Sequence, residues 1–225
     1  MKRMLLLGVM LLVVSTLAFA TPVCVSDTLA DYVLLSGGCT IGSNTFSLWS
    51  FGPTQVNHSG PGLAPVPLGS GDITVTPVVV PGVGLGFTFT GSFAASTNVN
   101  QTNALTYVIQ YDVTAGPWLI DNELTAGSGT ISTTGGYLTL SETKTFDQIA
   151  EVDIFVSNPG ASTSATWMPA QSHLVSNTQL GLIAQHGGYV TLDSYTETFS
   201  VPEPLSLVLL GSGLLGLGLL RRRVK

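Results

Sequence analysis

From Phe46 onward the chain alternates apolar and polar positions. Val83, Leu85, Phe87 and Phe89 are separated by Gly and Thr, and Leu105, Tyr107, Ile109 and Tyr111 follow the same rule. Leu138 and Leu140 fall on the opposite face from Tyr137 and Thr139, and Val152, Ile154 and Val156 alternate with Glu151, Asp153 and Phe155. A period of two puts one face of a strand in a core and the other in solvent. Further strand-like runs cover residues 46–51, 73–80, 174–183 and 189–199. Pro77 and Pro81 confine the second of these to a sheet edge or end it. Turn signals divide the runs at Gly60-Pro61-Gly62, Gly135-Gly136, Asn158-Pro159-Gly160 and Gly187-Gly188. The pattern predicts a mainly β protein, an antiparallel β-sandwich of jelly-roll type. One short helix is expected over residues 28–35. Residues 52–71, rich in Pro and Gly, read as a long loop within one domain, because the stretch before them is too small for its own core.

The two ends break this pattern. Lys2-Arg3, an apolar run over residues 4–14 and Ala18-Phe19-Ala20 have the order of a secretory signal: charged region, apolar region, small-x-small cleavage site. Residues 1–20 are therefore expected to be a signal helix cleaved after Ala20. At the other end Val201-Pro202-Glu203-Pro204 precedes sixteen residues, 205–220, made only of Leu, Val, Gly and Ser, and Arg221-Arg222-Arg223-Val224-Lys225 follows. As a helix those sixteen residues would span about 24 Å, slightly less than a hydrocarbon core of about 30 Å. A single transmembrane helix is expected there. Basic residues stay on the cytoplasmic side, so Lys2-Arg3 and the Arg cluster place everything between them outside.

The Pro-Glu-Pro motif, the apolar span and the terminal Arg221, Arg222 and Arg223 resemble the PEP-CTERM sorting tail. The resemblance covers residues 201–225. It implies recognition by exosortase, a membrane transpeptidase-like enzyme, with cleavage near Pro202–Pro204 and delivery of the domain to the cell surface or extracellular matrix. The same tail is also labelled the C-terminal segment of ice-binding proteins. Cys39, the Ile41-Gly42 pair and Thr45-Phe46-Ser47 are similar in spacing to the N-terminal region of many PEP-CTERM proteins.

Charge sharpens this picture. Only 9% of residues are charged, far below the roughly 25% of an average globular protein. Residues 21–200 hold one lysine, Lys144, against twelve carboxylates, a formal balance of −11. Such a domain repels nucleic acid, whose binding needs Lys and Arg on the phosphates, and anionic lipid. Cys24 and Cys39 are the only cysteines, and in an oxidising compartment a disulfide is the default.

Few residues suggest chemistry. His58, His173 and His186 have no metal-ligand spacing, so no metal or cofactor is expected. No nucleophile elbow or phosphate loop occurs in the domain. Asp121-Asn122-Glu123 offers oxygen ligands of the kind calcium prefers. Paired carboxylates across a cleft would suit a sandwich-fold hydrolase. Trp49, Trp118, Trp167 and Tyr137 are candidates for stacking on sugar rings or for the core. Thr pairs at 74/76, 88/90, 143/145 and 196/198 would suit an ice-like array if they aligned on one flat face. The reading is a non-enzymatic exported protein of the cell envelope or exopolysaccharide matrix, partnered by the secretion machinery, exosortase and, before processing, the membrane. The alternative is a carbohydrate-binding module at the cell surface. A hydrolase and an ice-binding protein stand behind these.

Overall fold

The computed structural model describes residues 21–80, 84–147 and 151–200. The signal segment with Ala18 and Ala20, the sorting motif Val201-Pro202-Glu203-Pro204, the span 205–220 and the basic cluster Arg221–Arg223 lie outside the described residues. Among the described residues, no helix is long and apolar enough to cross a membrane.

Eleven described strands form one continuous, curled antiparallel sheet. They are β1 (Asp27–Thr28), β2 (Cys39–Ile41), β3 (Asn44–Ser59), β4 (Thr74–Val80), β5 (Gly84–Ser96), β6 (Thr102–Ala126), β7 (Gly129–Ile131), β8 (Gly136–Phe146), β9 (Val152–Val156), β10 (Ser162–Gln185) and β11 (Tyr189–Ser200). Two long strands fold the sheet over on itself. The first half of β6 pairs with β3, its end pairs with β11, and β10 follows it along its length. The register of β10 on β6 slips between Thr166 and His173, where bulges let a strand turn a corner from one layer to the other. One layer is thus β2-β3-β6-β10-β8-β9 and the other β1-β4-β5-β11-β6-β10. This is the antiparallel sandwich that the alternation predicts.

Alternation decides what lies between the layers. Phe46 of β3 meets Phe87 of β5 edge-on at 4.7 Å, and Trp49 stacks on Tyr111 of β6 at 4.4 Å. Phe89 of β5 stacks on Tyr195 of β11 at 4.8 Å. Such ring pairs each contribute about 0.5–1.5 kcal/mol beyond the area they bury. Trp49 and Trp167 are core residues, and Trp167 donates its ring N–H to Leu119 O at 3.1 Å. The side chain of Trp118 lies outside the described residues.

The expected helix is α1 (Leu29–Leu34), whose first turn is capped by Thr28 accepting from Asp31 N. It buries Leu29 and Tyr32 against the core. Cys24 and Cys39 are joined in a disulfide, which ties the N-terminal segment to β2. The loop expected from residue 52 starts later: β3 runs on to Ser59, pairing with β6 up to Thr102. Pro and Gly mask the alternation there, but neighbouring β6 supplies the ladder regardless of propensity.

Candidate functional site

One end of the sandwich carries an open groove of about 390 Å³, lined by Leu63, Pro65, Ser96, Thr97, Asn98, Gln101 and Asn103. Its size lies within the range of about 300–1,000 Å³ typical of small-ligand sites. The floor is the turn between β5 and β6, which is held from several sides. Asn98 O accepts from Gln101 N and Gly187 N, and Gln101 Oε1 accepts from Asn98 N at 3.3 Å. Asn103 donates to Ser96 O at 2.7 Å and its Oδ1 lies 2.7 Å from His58 Nδ1. The wall is the segment after β3, pinned where Leu68 N donates to the Tyr107 hydroxyl at 3.2 Å. Gly62, at φ 134°, closes that wall against the turn: a Cβ there would lie 2.1 Å from Gln101 Nε2. The groove is therefore pre-formed, with the side chains of Ser96 and Asn98 exposed on it and Leu63 supplying apolar surface. Tyr189 of β11 lies directly opposite Ser96 in register, and its half-exposed ring shares that face.

A second feature covers the outer face of the β4-β5-β11-β6 layer. Ser26, Thr76, Thr88, Thr196, Thr125 and Ser162 lie side by side across successive strands. Thr28, Thr74, Thr90 and Ser194 make a shorter parallel row. Within the long row Ser26 Oγ lies 3.1 Å from Thr76 Oγ1, and Thr88 Oγ1 lies 2.8 Å from Thr196 Oγ1. Of the Thr pairs noticed in the sequence, 74/76 and 88/90 and the Thr196 member of 196/198 thus contribute to these rows, with neighbours spaced about 4.8 Å across strands, whereas Thr198 is buried beside Gly86 and Glu123. The fourth pair, Thr143 and Thr145, lies on β8 in the other layer.

The third feature is sealed inside. Glu142 and Lys144 of β8 and Glu197 of β11 have no exposed side-chain surface. Lys144 Nζ donates to Oε1 of both carboxylates and lies 2.8 Å from Ser176 Oγ and 4.4 Å from the centre of the Phe199 ring. Thr178 Oγ1 lies 3.3 Å from Glu142 Oε1, and Asn122 Nδ2 donates to Glu142 Oε2 at 3.2 Å. Burial, then the neighbouring Glu197 charge, pushes the Glu142 carboxyl well above the usual carboxylate range. Burial is the largest influence on Glu197 too, but the Lys144 charge together with hydrogen bonds from Glu142, Lys144 and Tyr111 holds that group below its ordinary value. Of the two carboxyls, Glu142 is therefore the one whose surroundings favour the protonated form. A carboxylate pair exists, and among the described residues both its side chains are wholly buried.

The remaining candidates separate. Asn122 points inward while Asp121 and Glu123 face out, so the three cannot share a calcium ion; consecutive strand residues face opposite ways. His173 sits on the surface between Asp112 at 3.4 Å and Asp147 at 3.3 Å. His58 joins the groove through Asn103, and His186 occupies a turn at φ 51°. Among the described residues no group of three acidic, His or Cys side chains is placed to hold a metal.

No family model matches the chain, and no curated protein does. Among solved structures it is similar to TmCBM61 in complex with β-1,4-galactotriose, at 7% identity and TM-score 0.32, over 66% of this chain and 89% of that one. It is similar to the family 11 carbohydrate-binding module from Clostridium thermocellum, solved with a β-1,3-1,4-mixed-linked tetrasaccharide, at 10% identity and TM-score 0.20, over 77% and 96%. A third likeness is to the enzymatically active domain of bacteriophage CBA120 tailspike protein 4, at 14% identity and TM-score 0.25, over 66% of this chain and 19% of that one. Likenesses at these scores carry no argument about fold or ligand.

Proposed function

We propose that the chain is an exported, non-enzymatic protein of the cell envelope or exopolysaccharide matrix whose domain binds polysaccharide in the end groove. The observation that carries this reading is the groove itself: a pre-formed concavity in which Ser96, Thr97, Asn98 and Gln101 supply hydroxyl and amide groups beside Leu63 and Pro65, with Tyr189 next to it. Sugars present alternating hydroxyls and C–H faces, which need paired donors and acceptors next to apolar or aromatic surface. Rigid walls keep the ordering cost of binding low. The only lysine of residues 21–200 is buried, and those residues contain no arginine. A neutral glycan suits such an acidic surface better than a polyanionic one.

Delivery rests on the ends of the sequence. The signal at 1–20 and the tail at 201–225, with its Pro-Glu-Pro motif, support export and handling by exosortase. The test is cosedimentation of the exported protein with the insoluble exopolysaccharide of the producing cells. Pelleting that soluble oligosaccharides of the same polymer reverse supports the reading, and protein left in the supernatant rejects it.

The aligned hydroxyl rows favour a second reading, binding to ice or to an ordered water layer. It ranks lower because adjacent strands twist by roughly 20–25°, which bends a row spanning five strands away from a plane.

A further inference from the structure

Lys144, Glu197 and Glu142 meet in a chamber with no exposed surface, each from a strand fixed by its neighbours. Lys144 Nζ lies against Glu197 Oε1, so the carboxyl carbon is one bond further on. Reactive groups held in direct contact react as if at very high concentration. Phe199 and the buried rings of Tyr111 and Tyr195 line the surroundings. In such an apolar setting a charged pair loses the hydration that stabilises it in water.

We propose that Lys144 and Glu197 condense into an intramolecular amide that joins β8 to β11, with Glu142 carrying the proton. A proton passes from the Lys144 ammonium to the Glu197 carboxylate, leaving amine and carboxylic acid. The nitrogen lone pair attacks Cδ of Glu197 and the C–N bond forms. Glu142, in contact with Nζ through Oε1, gives its proton to the departing hydroxyl and takes one from nitrogen. The C–O bond breaks, water leaves, and Glu142 is regenerated. No oxidant or cofactor is needed. The reaction is favoured because it replaces a poorly hydrated buried ion pair with a neutral amide.

Glu197 is the partner rather than Asn122 because Nζ touches the Glu197 carboxylate directly, whereas Asn122 reaches the cluster through Glu142 Oε2. The bond would be a staple between the layers, closing a span of 53 residues. It fastens β11, the strand that leads to residue 201, to the opposite layer. A domain held or pulled through that end would then resist unzipping. The inference stands apart from the glycan reading and fails or survives independently of it.

The full chain, purified from producing cells, is denatured, reduced and digested with chymotrypsin, and the peptides carrying Lys144 and Glu197 are weighed. The expected result is one joined species, lighter than the two free peptides by one water, with fragmentation assigning the bond to these two side chains. Lys144→Arg and Glu142→Gln should each yield separate peptides. Two separate peptides from the folded wild-type protein would overturn the proposal. So would a species lighter by one ammonia that joins Lys144 to Asn122.

Discussion

Lys144 on β8 and Glu197 on β11 meet in the middle of the sandwich, one from each layer and neither exposed. The surface of residues 21–200 is thereby left without Lys or Arg. Replacing Lys144 with Met removes the only cation near Glu142 and Glu197. The two carboxyl groups then remain buried with hydrogen bonds but no cation, a change that costs about 3–5 kcal/mol. Urea denaturation should show this as a lower midpoint.

Buried tyrosines set the alkaline limit. Burial, helped by the Asp27 charge, pushes the Tyr32 hydroxyl from 10.0 up to about 12, and burial raises Tyr107, Tyr111 and Tyr195 as well. Above pH 10 the unfolded chain releases these protons while the folded chain keeps them, so stability falls as pH rises. Thermal unfolding should be flat near neutrality and drop above pH 10. The tyrosinate absorbance of the folded protein should lag behind that of the denatured protein over the same range.

Reduction of Cys24–Cys39 reopens a loop with a sequence separation of 15. The chain-entropy estimate for such a loop is about 3 kcal/mol. The loss should appear in the denaturation midpoint of the reduced protein. Hydrogen exchange should rise first at Cys24 and Thr40, whose amides bond across the N-terminal segment.

The long hydroxyl row makes its own prediction. If ordered water is the ligand of that face, the protein inhibits ice recrystallisation, and Thr88→Tyr abolishes the effect while leaving glycan binding intact. Unchanged ice growth with the wild-type protein removes the second reading.

The fold was legible because alternation survives in most strands. The same rule carries further than the apolar residues alone suggest. Leu138, Leu140, Glu142, Lys144 and Phe146 share one face, as do Tyr195, Glu197 and Phe199, and the structure buries all of them. Period two therefore marks the charged cluster, although a charged residue on its own suggests solvent. The disulfide was legible from count and compartment. The hydroxyl row was only half legible: the Thr pairs show in one dimension, but their alignment depends on register between strands distant in sequence. The groove was hidden for a stronger reason. Leu63, Asn98 and Tyr189 come from three separate connections and strands, have no shared motif, and meet only when the sandwich closes. Trp49 and Trp167, offered by the sequence as possible sugar platforms, are core residues because their positions point inward.

The central claim is that the end groove binds polysaccharide. Titration calorimetry with oligosaccharides cut from the exopolysaccharide of the producing cells tests it most directly, comparing wild type with Asn98→Ala and Tyr189→Ala. The account predicts measurable heat with the wild type. It also predicts affinity about tenfold weaker in each variant, the loss of roughly 1.4 kcal/mol expected for one good polar or stacking contact, with thermal stability unchanged. Wild-type binding that neither substitution alters, or no binding to any fragment of that polymer, would contradict it.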